Sequence, residues 1–222
     1  MNTSNISPKQ TPQGSSDCNK ANTFAYRVGS GIYLNITNRC NNNCDFCIRR
    51  NGEGAYGSES LWLEHEPGID EILDAVEKVY FPECTEFVYC GYGEPAYRLC
   101  DLLISAALLK KKYALPVRLN TNGLANLLYK TDTTPVLRKY IDTVSISLNA
   151  ANAEEYNDVC HPKYGLDAFP AIIEYARGCV RAGIPNVLFS VVEGTIPESD
   201  IAKCREIAEN VGAKLRIRKY IG

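Results

Sequence analysis

Residues 31–50 read GIYLNITNRCNNNCDFCIRR. The first seven alternate, with Ile32, Leu34 and Ile36 to one side and Tyr33 and Asn35 to the other, which is the two-residue period of a strand. Directly after that strand comes a loop carrying Cys40, Cys44 and Cys47. Soft thiolates select zinc, copper(I) or iron–sulfur. A structural zinc site normally closes with four ligands, often as two pairs. No second pair stands beside these three, and His65 and His161 are distant in sequence. Three cysteines holding a [4Fe–4S] cluster would leave one iron open to a further ligand. The cysteines alone favour that open site over zinc completed from elsewhere.

Working outward, the strand and loop are the first of a series. EFVYC (86–90), PVRLNT (116–121), IDTVSISLN (141–149), NVLFSVVE (186–193) and KLRIRKY (214–220) read as further strands. Helical spacing fills the intervals at 69–80, 98–113, 122–130, 134–140, 151–160, 167–183 and 196–212. Strands alternating with helices, with no hairpin turn between neighbours, imply a parallel sheet with right-handed crossovers. The expected fold is α/β, a partial (β/α)6 TIM-type barrel with a parallel six-stranded sheet; an open doubly wound sheet is the alternative. Either places functional residues at the C-terminal ends of the strands. There stand the cysteine loop, GYGEP (91–95), NTNG (120–123), SLNA (147–150) and SVVEG (190–194).

Residues 1–28 are rich in Asn, Ser, Thr, Gln and Pro and read as a disordered tail, leaving 29–222 as one domain. A formal net charge of −2 offers no electrostatic case for nucleic acid or an anionic membrane. The start lacks the apolar stretch of a signal peptide, and no apolar run reaches membrane-spanning length. Cys18, Cys84, Cys90, Cys100, Cys160, Cys179 and Cys204 are scattered rather than clustered, which suits a reducing cytoplasm.

Taken together, CNNNCDFC, GYGEP, NTNG and SISLNA resemble the motifs of radical S-adenosylmethionine (SAM) enzymes over about residues 30–220. More narrowly, LNITNRC, CGYGEP, RLNTNGLANL and VSISLNA look like the small radical SAM proteins associated with TatD-family hydrolases. The resemblance implies a [4Fe–4S] cluster on Cys40, Cys44 and Cys47, with SAM on the open iron. It implies Phe46 beside the adenine, Gly91, Tyr92, Gly93 and Glu94 lining the methionyl amino group, and Asn120, Ser147 and Asn149 facing SAM. It also implies a 5′-deoxyadenosyl radical that abstracts hydrogen from a substrate, and a one-electron reductant such as flavodoxin or ferredoxin. A small-molecule substrate is favoured over a macromolecule, and a TatD-type hydrolase is a candidate partner. The alternative is a non-catalytic metal- or cluster-bearing module.

Several of these residues have plainer readings. Glu94-Pro95 could start a helix, and Asn122-Gly123 could be a turn. Arg49 and Arg50 could be solvated charge or hold an anion. Cys90 reads as a buried structural cysteine, and Cys160-His161 as neighbours that do not face each other. Tyr92 stands where the family pattern has glycine.

Overall fold

The structure is a computed structural model and describes residues 21–50 and 54–219. Seven strands lie in one sheet, in sequence order. They are β1 (Ala25–Val28), β2 (Gly31–Leu34), β3 (Glu86–Tyr89), β4 (Val117–Thr121), β5 (Thr143–Ser147), β6 (Asn186–Val192) and β7 (Lys214–Arg218). From β2 onward every pairing is parallel. The helices α1 (Ile69–Val79), α2 (Leu99–Tyr113), α3 (Ala125–Tyr129), α4 (Thr134–Leu137), α5 (Ala153–Cys160), α6 (Ala168–Arg181) and α7 (Glu198–Asn210) form the crossovers.

The strand order decides between the two expected architectures. A doubly wound sheet reverses direction partway; this one does not. With right-handed crossovers always stepping the same way, the helices fall on one face. That leaves the other face as a concave interior, as in an incomplete barrel. Side-chain burial agrees with this. Ile32, Leu34, Phe87, Tyr89, Val117, Leu119, Val144, Ile146, Phe189 and Val191 join the helices' apolar residues in the main core. The alternate residues Asn35, Arg118, Ser145 and Ser190 are buried on the opposite face, with Asn120 partly buried beside them.

Two expectations need correction. The sheet has seven strands rather than six, because β1 pairs antiparallel with β2 across a tight hairpin at Gly29 and Ser30. Gly29 takes the left-handed conformation there (φ +57°), which glycine adopts without steric cost. A hairpin between neighbours is therefore present. β1 also lies inside the stretch read as a disordered tail, of which residues 1–20 lie outside the described residues. Four residues are too few to show periodicity, yet Ala25 packs into the main core and Tyr26 into a second cluster with Ala55, Leu61 and Tyr92. Tyr26 also donates its hydroxyl to the Cys90 carbonyl at 3.2 Å.

The core face of β6 tests this packing. Phe189 is fully buried in the main core between strand and helix layers. Phe189→Ala is expected to cost about 3–5 kcal/mol, read from the urea unfolding midpoint. A loss below about 1 kcal/mol would show that the helix layer is not packed on this face.

Candidate active site at the C-terminal edge of the sheet

The three cysteines leave the end of β2 on a loop with little regular backbone pairing, and its asparagines replace that pairing. An amide side chain both donates and accepts, so one residue can tie two segments. Asn38 accepts from the Leu63 N–H at 3.0 Å and donates to the Leu63 carbonyl at 2.8 Å. Asn41 accepts from the Asn122 amide, and Asn42 donates to the Tyr156 hydroxyl at 2.8 Å. Asn43 accepts from Arg49 and Arg50, each at 3.0 Å. Arg50 also donates to the Cys44 carbonyl at 3.0 Å, so both arginines act as ties of the loop.

The C-terminal end of α5 holds the loop from the other side. The last carbonyls of a helix have no partner within it. Here Cys160 accepts from the Asn43 N–H and Val159 from the Asp45 N–H, both at 3.0 Å. His161, left-handed at φ +43°, meets the Asp45 carboxylate at 2.9 Å. Cys160 and His161 thus both border the cysteine loop, which their adjacency in sequence did not indicate. Their approach depends on how β5 and α5 return the chain to the mouth of the sheet.

All three thiols are partly buried, and their pKa values are raised. Burial pushes Cys40 up to about 12, with the Glu94 carboxylate adding to the rise. A hydrogen bond with the Cys160 thiol is the largest influence on Cys44, followed by burial. Burial also raises Cys47. Ligation requires thiolates, so filling this site releases protons.

Glu94 connects the loop to the strand ends. It is buried, and burial raises its pKa against the pull of the donors around it. Oε1 accepts from the Ala96 N–H at 3.0 Å and the Thr121 hydroxyl at 2.7 Å. Oε2 accepts from the Asn122 N–H at 2.6 Å. The first of these bonds caps the helical turn Pro95–Arg98, the plainer reading of Glu94-Pro95. A carboxylate offers about four acceptor positions, so capacity for one further donor is left. Asn122, read as a turn residue, does more than turn the chain. Its backbone N–H meets Glu94, its side-chain amide reaches the Asn41 oxygen, and the same amide lies 3.9 Å from the Cys40 sulfur.

The glycines of GYGEP are required by the protein's own packing. A Cβ on Gly93 would lie 2.2 Å from the Thr37 carbonyl oxygen, and one on Gly91 would strike the Asn35 side chain. Tyr92 turns its side chain away into the second cluster. Its ring meets Trp62 edge-on at 5.2 Å, and its hydroxyl donates to the Gly54 carbonyl at 3.3 Å. Phe46 packs against the rim of the main core. Asn120 lies on the concave face of β4, and Ser147 ends β5, partly buried. Asn149 is buried and left-handed at φ +56°, a conformation asparagine tolerates. Its amide lies 3.7 Å from the Cys160 sulfur.

Three soft thiols on one loop suit an iron–sulfur cluster. Among the described residues no three His, Cys, Asp or Glu side chains gather closely enough for a single ion; thiolates serving three different irons do not have to. The side-chain oxygens of Asn120 and Asn149 are buried without a partner. Such orphans cost free energy, which a bound polar ligand would recover. The mouth of the sheet therefore fits a cluster with a polar organic ligand beside it.

A mostly parallel partial barrel with three thiols and orphaned amide oxygens at its C-terminal edge has the make-up of a cofactor-binding barrel. The chain belongs to the radical SAM superfamily, which its residues 34–208 match. That superfamily works with a [4Fe–4S] cluster and SAM. A probable GTP 3′,8-cyclase of Saccharolobus islandicus is 28% identical over 183 residues, covering 82% of this chain and 53% of that protein. The GTP 3′,8-cyclase of Corynebacterium glutamicum is 26% identical over 195 residues, covering 86% and 48%. The chain spans about half the length of these curated relatives. Among solved structures, Streptococcus suis SuiB bound to S-adenosylmethionine superposes with a TM-score of 0.57 at 18% identity, over 85% of this chain and 38% of that one. HydG, a maturase of the [FeFe]-hydrogenase, superposes with a TM-score of 0.54 at 16% identity, over 86% and 42%. At these identities the structures share the fold.

The ties of Asn122 can be tested without the cluster. Asn122→Ala is expected to lower stability by about 1–3 kcal/mol in urea unfolding of the apoprotein, because the Asn41 oxygen is left buried and unpaired. Gly93→Ala is expected to cost more, since a carbonyl oxygen of the backbone cannot step aside. Wild-type stability in both variants would show that these contacts do not hold the loop.

Proposed function

We propose that this chain is a radical SAM enzyme in which Cys40, Cys44 and Cys47 hold the [4Fe–4S] cluster. The observation that carries the reading is the network linking Cys40, Asn41, Asn122 and Glu94, which joins the cysteine loop to the end of β4. When bound and reduced by one electron, the cluster with SAM supplies a 5′-deoxyadenosyl radical able to abstract hydrogen. The remaining work belongs to the chain. Glu94, with its unused acceptor position, and the backbone of Gly91, Tyr92 and Gly93 take the methionyl ammonium. Asn120, Ser147 and Asn149 hydrogen-bond the ribose or carboxylate, satisfying two oxygens that are otherwise orphaned. Phe46 offers an apolar edge for the adenine.

A small molecule is the favoured substrate, entering the open side of the barrel. The GTP cyclases similar to this chain have a small nucleotide in their names, which agrees. A one-electron donor such as flavodoxin or ferredoxin serves as reductant. No helix among the described residues is long and apolar enough to cross a membrane. The nine described cysteines are free thiols, which supports a reducing cytoplasm. Membership of the small TatD-associated group, and a TatD-type hydrolase as partner, rest on the sequence resemblance alone.

The test is anaerobic. The protein is reconstituted with iron and sulfide, reduced with dithionite and given SAM, and 5′-deoxyadenosine is assayed by chromatography. Release that disappears in each of Cys40→Ala, Cys44→Ala and Cys47→Ala is the expected result. A well-formed cluster that yields no nucleoside and leaves the spectrum unchanged on adding SAM would overturn the reading. A non-catalytic cluster-bearing module would then take its place.

A further inference from the structure

The concave face carries a charge that the chemistry at the mouth does not use. On β4, Arg118 is buried, with 8% of its surface exposed. On β7, Arg216 and Arg218 alternate with Leu215 and Ile217, which places both arginines on the concave side. The register supports this: Arg216 pairs with Ser190 of the concave face, and Ile217 with Val191 of the core face. Although β4 and β7 are not neighbours, the curvature of the sheet brings their arginines towards one region. Arg118, Arg216 and Arg218 all act electrostatically on the Tyr56 hydroxyl, and Arg118 and Arg218 both act on the Cys90 thiol.

The charge is only partly compensated. Arg118 donates to the Glu86 carboxylate at 2.8 Å and the Tyr33 hydroxyl at 3.1 Å. Among the described residues, Arg216 and Arg218 form no ion pair, while the chain as a whole has a formal charge of −2. The Nε atoms of Arg118 and Arg218 are buried with no hydrogen-bond partner. A solvated surface arginine would extend its donors into water; these two hold donors inside the concavity. Guanidinium groups present a planar fork of donors that matches carboxylate and phosphate oxygens.

We propose that Arg118, Arg216 and Arg218 form an anion subsite on the concave face, which takes the carboxylate or phosphate group of a small substrate. The assignment of that anion to the substrate rests on the radical SAM reading; the subsite itself does not. Arg216 is exposed and Arg218 partly buried, which leaves both within reach of a ligand on the concave side. Arg118 lies deeper and supplies a fixed charge, with one of its amino groups already held by Glu86 and Tyr33. Selectivity would follow from charge: a neutral analogue of the substrate leaves the buried Nε donors unpaired.

The experiment uses cluster-loaded protein, saturated with SAM, under anaerobic conditions at low ionic strength. Inorganic pyrophosphate is titrated calorimetrically in one arm and succinate in the other, which separates phosphate from carboxylate recognition. Saturable binding in at least one arm is expected. Binding should weaken at least tenfold in the Arg216→Met/Arg218→Met double variant. Arg216→Met alone, at an exposed position, separates loss of charge from any effect on folding and should weaken binding several-fold. Arg205→Met, an exposed change on α7 with the same change in net charge, should bind as wild type does. Equal binding in wild type and both arginine variants, or no saturable binding of either probe, would overturn the proposal. Binding seen only without SAM would also overturn it, because the arginines would then serve SAM's own carboxylate. Anion binding in a protein that makes no 5′-deoxyadenosine would keep the subsite and remove the catalytic reading; the reverse outcome would do the opposite.

Discussion

The buried carboxylate of Glu94 is the constraint on which the mouth of this sheet depends. A carboxylate out of water must be surrounded by donors, and here the three donors come from two different segments. One donor is in its own helical turn, the others are the side chain of Thr121 and the backbone of Asn122. Meeting that demand fixes the end of β3 against the end of β4. From there Asn122 reaches back to Asn41 and the Cys40 sulfur. The Glu94 N–H meanwhile donates to the Arg39 carbonyl at 2.8 Å, closing a ring of contacts around the cysteine loop. The position of the thiols thus follows from satisfying one buried charge.

The same sheet serves two environments. Its outer face is continuous with the apolar helix layer and supplies most of the stabilising burial. Its inner face carries asparagine, serine and arginine, which cannot contribute in the same way and leave several buried polar atoms unpaired. In a sheet covered by helices on only one side, the inner positions are free of core packing, so they can hold ligand-binding groups. The antiparallel β1 strand protects one edge of the sheet. Among the described residues no further strand pairs with β7, where Ile217 is 45% exposed.

Much of the fold was legible because local pattern and global topology agree. The strand at GIYLNIT and the strand–helix alternation after it translate directly into β2 to β7 and their crossovers. The expected partial barrel is the observed one. The strand β1 was not legible, because a four-residue strand between turn residues has no period to read, and its partners Leu61 and Tyr92 are far along the chain. In the site, the cysteines and the polar strand ends could be read from spacing alone. Asn122 was read as a turn residue, and Cys160-His161 as neighbours that do not face each other, because nothing near them in sequence points to the cysteine loop. The glycines of GYGEP were expected to make room for a ligand; the contacts they permit are with Asn35, Thr37 and Arg39.

The sequence by itself determined the type and order of the elements, the three soft ligands, and the edge of the sheet where chemistry belongs. These are properties of residue type and short-range period, which survive without knowing what packs against what. Only the tertiary structure decided that the sheet winds one way, that α5 returns to brace the cysteine loop, and that arginines from β4 and β7 share one concavity. Each of these depends on contacts between segments tens of residues apart. Curvature and crossover handedness bring them together, and neither is written in any single stretch of the chain.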